Sequence, residues 1–116
     1  MKKILLVFLF FLPLPLMAEI SVGNYEKLSL SQKESLKEYI TGVGVGISWA
    51  NTELKETQKL YCPPENLALD TVNYTWILDE QIKYTKKLFS GSGKDYQQYH
   101  IEMFLVKGLI RTFPCR

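Results

Sequence analysis

One histidine and two cysteines are the only imidazole and thiol side chains in the 116 residues. They are too few for a conventional structural zinc site. A surplus of positive charge is missing as well. The formal net charge is +2, and without Lys2 and Lys3 the basic and acidic residues balance at twelve each. That excludes a nucleic-acid partner, because phosphate neutralisation needs a basic face. After residue 12 no apolar run is long enough to span a bilayer, no strand-length alternation is bounded by hairpin turns, and no segment repeats. Membrane-embedded, all-β and solenoid architectures are thereby excluded for the rest of the chain. With 47% hydrophobic and 22% charged residues the chain is not disordered either.

Residues 1–18 have the layout of a secretory signal. Lys2 and Lys3 precede the apolar run Ile4–Leu12, Pro13 and Pro15 break it, and Leu16-Met17-Ala18 offers cleavage after Ala18. The run is too short before its prolines for a membrane anchor, and no cysteine follows the site to take a lipid. The organisation expected is therefore a signal peptide over 1–18 and a single α-helical domain over 19–116, with no stable membrane insertion after cleavage. Export places Cys62 and Cys115 in an oxidising compartment, where a bridge is the usual state.

The remaining chain reads as all-α. Residues 19–30 form an arm, with room for a short extra helix near 24–30. Ser31 and Glu34 have capping-box spacing, and Leu36, Ile40, Val43, Ile47, Ala50 and Leu54 then recur on one face, predicting a helix over about 32–58. Gly42, Gly44 and Gly46 each cost that helix roughly 1 kcal/mol against alanine. Gly42 and Gly46 share a face, so close approach of another helix there is the expected compensation. A phosphate loop is excluded, since no strand precedes the glycines and no Lys-Ser/Thr pair follows. Pro63 and Pro64 stop the helix.

Asp70 caps a second helix, with Leu69 and Tyr74 placed as a staple across the cap. Its stripe is Tyr74, Leu78, Ile82, Thr85 and Phe89, flanked by Trp76 and Ile77, and Lys83, Lys86 and Lys87 form a solvated end. Ser90-Gly91-Ser92-Gly93 breaks the chain. Asp95 is placed to cap a third helix carrying Tyr96, Tyr99, Met103, Val106 and Ile110, which Phe113-Pro114 closes.

Short connections make neighbouring helices antiparallel, so the first and third helices end at the same end of the bundle. That topology predicts a Cys62–Cys115 disulfide in a small bundle of three main helices.

Catalytic constellations are hard to find. His100 sits among Tyr96, Met103 and Phe104 and lacks the partners of a general base. A bridged Cys62 cannot act with it as a nucleophile. Asp79 and Glu80 are adjacent and point apart, so they are no glycosidase pair, and Glu34 and Glu38 share a face that reads as exposed. Asn73-Tyr74-Thr75 matches a glycosylation sequon. The expectation is no enzyme, no metal and no cofactor. Among Trp49, Tyr61, Trp76, Tyr84, Tyr96 and Tyr99, most are expected in the core. Tyr96 and Tyr99 adjoin the Gly-Ser break, so Lys94, Asp95, Tyr96 and Tyr99 form the candidate partner-binding segment.

Tyr39-Ile40-Thr41-Gly42, Gly46, Tyr61-Cys62-Pro63-Pro64, a helix with Val72, and Leu109-Ile110-Arg111-Thr112-Phe113-Pro114-Cys115 together resemble the Rap/Tai group of small periplasmic immunity proteins associated with type VI secretion. The resemblance spans roughly residues 36–115. It departs from the group's pattern at Ser90–Asp95, where a proline-containing segment is usual, and at Val45, where a polar residue is usual. The resemblance implies a helical fold with Cys62 bridged to Cys115. It further implies a periplasmic protein, often a homodimer, that binds a secreted effector toxin of the peptidoglycan-cleaving, amidase class and blocks its active site. The alternative expectation is a periplasmic structural or chaperone-like binding protein without a toxin partner.

Overall fold

A computed structural model describes residues 19–116, and the signal reading of residues 1–18 lies outside the described residues. The described residues form four α-helices: α1 (Val22–Glu26), α2 (Leu30–Thr52), α3 (Thr71–Phe89) and α4 (Ile101–Thr112). Among the described residues there is no strand, only an isolated antiparallel bridge between Ser21 and His100. α3 is the central helix and packs against both α2 and α4. No described helix is long and apolar enough to cross a membrane.

The helix starts follow local chemistry. Ser29, in extended backbone, accepts from the Gln32 amide at 3.3 Å, while Gln32 Oε1 accepts from the Ser29 amide at 2.9 Å. This capping box replaces the one expected from Ser31 and Glu34. Both of those residues are already helical, and Glu34 pairs with Lys37 instead. α3 starts as expected, with Asp70 and Asn73 capping each other at 3.0 Å and Leu69 packed on the core beside buried Tyr74.

Two helices are shorter than the pattern predicts. α2 stops at Thr52, not near 58, because Asn51 draws the chain back. Its Nδ2 donates to the Tyr61 carbonyl at 2.8 Å, and its Oδ1 accepts from the Leu60 amide at 2.7 Å. The expected stripe holds at Leu36, Ile40, Val43 and Ile47, whereas Ala50 and Leu54 are exposed. α4 begins at Ile101, not after Asp95. Asp95 Oδ1 accepts from the Gln97 amide at 2.8 Å, a local turn. The stretch before α4 pairs with the N-terminal arm through Val22 N to Tyr99 O (2.7 Å), Gly23 N to Gln97 O (2.9 Å) and Ile101 N to Ile20 O (2.9 Å). The arm is therefore part of the core: Val22 and Tyr25 are buried, and the Tyr25 hydroxyl donates to Asp79 at 2.9 Å.

Close helix approach does occur, at different glycines from those expected. A Cβ on Gly42 or Gly46 meets nothing within 4 Å among the described residues. The packing glycine is Gly44, where a Cβ would lie 2.4 Å from the ring of buried Tyr74. Likewise a Cβ on Gly108 would lie 2.7 Å from Ile77 Cγ2, which lets α4 press against α3. The core is built from Tyr25, Ile40, Tyr61, Tyr74, Ile77, Leu78, Ile101, Phe104, Leu105 and Leu109, among others. Of the six aromatics singled out in the sequence, only Tyr61 is buried; Trp49 is 68% and Trp76 56% exposed, and Tyr84 and Tyr99 also reach solvent. Helical periodicity does not separate a wide core face from its flanks.

Cys62 and Cys115 form the disulfide, with Cα atoms 4.9 Å apart. The Cys62 amide also donates to the Phe113 carbonyl at 2.8 Å, so the loop after α2 and the tail after α4 are held side by side.

Gly44→Ala should destabilise by about 1–3 kcal/mol through overpacking against Tyr74, whereas Gly46→Ala should stabilise by up to about 1 kcal/mol through helix propensity; denaturant titration of both variants checks the pair. Replacing Cys62 and Cys115 together by serine should cost about 4 kcal/mol in the chain-entropy account, read as a lower urea midpoint.

Candidate binding surfaces

The expected partner-binding segment is divided by the fold. Gly91 and Gly93 have φ of 75° and 73°, a left-handed backbone that glycine adopts without strain, and they turn the chain out of α3. Lys94 and Asp95 are exposed on this loop, with the Lys94 ammonium 5.8 Å from the Phe89 ring centre. Tyr96 is half-buried and turns towards α1. Burial first, and then its hydrogen bond to Glu26, hold its hydroxyl above the usual tyrosine range. Tyr99 is 38% exposed and wedged between Phe89 and Phe104, at ring separations of 6.5 and 6.1 Å. Lys94 and Asp95 are thus free surface, Tyr96 is an anchor of the arm, and Tyr99 is a wall.

That wall belongs to a groove of about 240 Å³ between α3 and α4. Buried Gln81 and Thr85, with Phe104, lie at its base, and Tyr84, Leu88, Phe89, Tyr99 and Met103 rise around it. Among the described residues its one charged lining residue is Lys107. Arg111 stands at its end: Nε donates to Gln81 Oε1 at 2.8 Å, and the guanidinium carbon lies 4.7 Å from the Tyr84 ring centre. Gln81 belongs to no motif, Arg111 was read only as part of the closing segment, and their pairing over 30 positions was invisible in the sequence.

A larger cleft, of about 560 Å³, opens at the disulfide end between α2 and the 53–70 loop. Cys62, Pro63, Pro64, Glu56 and Lys59 line one side, and Ser48, Tyr61 and Tyr74 the other. Ser48 Oγ lies 2.8 Å from both the Tyr61 and the Tyr74 hydroxyl. Three hydroxyl hydrogens serve two links, so one hydrogen remains to donate to an acceptor. The outer face of α2 carries open Gly42 and Gly46 beside exposed Val45 and Trp49.

Among the described residues no three His, Cys, Asp or Glu side chains form a group that could hold a metal. His100 Nδ1 lies 3.0 Å from Glu19 Oε2 and caps no helix through its ring. Glu102 is the more unusual acid. Its Oε1 accepts from the Tyr39 hydroxyl at 2.5 Å, and its Oε2 is buried with no hydrogen-bond partner among the described residues. The Glu102 hydrogen bond, with burial as a second cause, pushes Tyr39 up to about 12.

No family model, curated protein or solved structure matches the chain. The fold and these surfaces describe a small disulfide-clamped helical protein with an apolar groove, a polar cleft and an exposed loop.

The neutral Tyr39 phenol is the form that the fold favours, so its contribution is complete below the ordinary tyrosine value of 10.0 and is lost as pH rises towards about 12. Denaturation midpoints should fall over that window in the native chain, and fall less in Tyr39→Phe.

Proposed function

We propose that the chain is a periplasmic immunity protein: an exported, non-catalytic inhibitor that binds a peptidoglycan-cleaving, amidase-type toxin of type VI secretion and covers its active site. One observation carries this reading. The segments that resemble the Rap/Tai group, Tyr61-Cys62-Pro63-Pro64 and Phe113-Pro114-Cys115, are distant in sequence and converge on one bridged end of the fold. A disulfide also suits an oxidising compartment. For a stoichiometric inhibitor this clamp is useful because a rigid surface loses less entropy on binding.

The interface in this proposal is the end of the molecule where the Gly91–Asp95 loop overhangs the α3/α4 groove. Lys94 and Asp95 project from the loop, and Tyr84 and Tyr99 offer rings with one apolar face and a polar tip. Aromatic and cationic side chains of this kind anchor protein interfaces. The open Gly42–Gly46 face of α2, beside Val45 and Trp49, leaves room for a second copy.

The test is inhibition at fixed stoichiometry. The exported chain, disulfide intact, should capture one cell-wall hydrolase from secreted and periplasmic fractions. At equimolar amounts it should bring peptidoglycan cleavage to background. Joint Lys94→Ala and Asp95→Asn replacement should weaken the complex about tenfold with a nearly unchanged unfolding midpoint, because Lys94 is exposed and the asparagine side-chain oxygen still accepts from the Gln97 amide. Undiminished cleavage at an equimolar ratio overturns the proposal.

A further inference from the structure

The groove between α3 and α4 combines three features. Its volume, about 240 Å³, falls below the roughly 300–1,000 Å³ of small-molecule pockets. It suits one or two side chains of a protein segment better than a cofactor. Its walls are largely apolar above a floor that includes Gln81 and Thr85, and the charges around it are of one sign. Lys107 lines it, Lys94 lies over Phe89 and Arg111 over Tyr84, while no acidic side chain lines it among the described residues.

The third feature is the posture of Arg111. An exposed arginine is ordinarily a mobile side chain, and ordering it costs rotamer entropy. Here the order is already present. Gln81, only 5% exposed, holds Nε through Oε1 at 2.8 Å, and Gln81 is itself fixed through Nε2 to Thr85 Oγ1 at 3.2 Å. The Tyr84 ring supports the guanidinium from one side. With Nε occupied, the two Nη groups have no acceptor among the described residues. Guanidinium nitrogens in a fixed plane match the two oxygens of a carboxylate. A buried glutamine accepting from Nε positions this fork without neutralising it, as a carboxylate in the same place would.

We propose that this groove is a docking site for a protein segment with an Asp or Glu next to a large apolar side chain. The apolar side chain enters between Leu88, Tyr99 and Met103, and the carboxylate lies across the Arg111 fork, with Lys107 adding long-range attraction. The proposal takes only the identity of the protein that bears the segment from the immunity reading; the chemistry of the site stands without it.

Two capped peptides test it, acetyl-Leu-Asp-Phe-amide and its Asn isostere, titrated into the exported chain with its disulfide intact and followed by NMR. The Asp peptide should produce saturable shifts at the Arg111 Nε–H, Thr85 and Tyr99, and the Asn peptide should bind about tenfold more weakly. Added salt should weaken the Asp peptide and leave the Asn peptide unchanged. Arg111→Lys, which keeps the charge and loses the fork, should reduce Asp-peptide affinity several-fold with an unaltered far-UV spectrum. Equal affinity for the two peptides, or no saturable shift with either, overturns the assignment. Peptide recognition without a captured hydrolase would remove the immunity reading and keep the groove. A hydrolase complex indifferent to Arg111→Lys would remove the groove from that interface.

Discussion

The ring of Tyr74 against the bare backbone of Gly44 is the contact on which the rest of the fold depends. It sets how closely α3 approaches α2, and it carries the Tyr74 hydroxyl to Ser48 Oγ. The same Ser48 holds Tyr61, and Asn51, one turn further along α2, bonds the backbone at Leu60 and Tyr61. The loop after α2 is thereby fixed as far as Cys62, which meets the end of α4 at Phe113 and Cys115. One missing methyl group thus leads, through a short chain of hydrogen bonds, to the placement of the disulfide.

At the other end the N-terminal arm does comparable work. Its backbone pairs with residues 97–101, and Tyr25 reaches Asp79 on α3. Burial of Tyr25, together with the Asp79 charge, holds that phenol in its neutral form. Glu26 gathers Tyr96, Gln97 and Lys86 around it, so α1, the loop before α4 and α3 share one polar knot. The loop from Gly91 to Asp95 lies between these fixed points and has no such ties to α1. A small helical domain can in this way present a short exposed loop on a rigid base.

The functional reading and the groove chemistry rest on different observations. The first rests on sequence segments converging at the bridged end, the second on a guanidinium oriented by buried glutamine and an aromatic ring. The bridge lies beyond the C-terminal end of α4 and the exposed loop at the opposite end of the helix pair, with the walls of the groove, supplied by α3 and α4, between them.

Much of the architecture was legible in the sequence because it is governed by neighbours along the chain. Periodicity marked three main helices, Asp70 marked the start of α3, and antiparallel topology brought Cys62 and Cys115 to one end, whereas α2 ends at Thr52, well before the prolines. What tertiary structure decided were the choices between local options of similar energy. Ser29 and Ser31 are equally plausible caps, and three glycines alternate along one helix with only Gly44 facing a ring. Asp95 could have opened a helix, but the arm offered the next residues backbone partners. The same holds for the surface. Periodicity identifies an apolar face but not its width, so exposed Trp49 and Trp76 read like core residues, and the Gln81–Arg111 pair exists only once α4 lies along α3. Local free energies of capping and helix propensity differ by about 1 kcal/mol between such alternatives, and packing contacts worth several times that made the final choice.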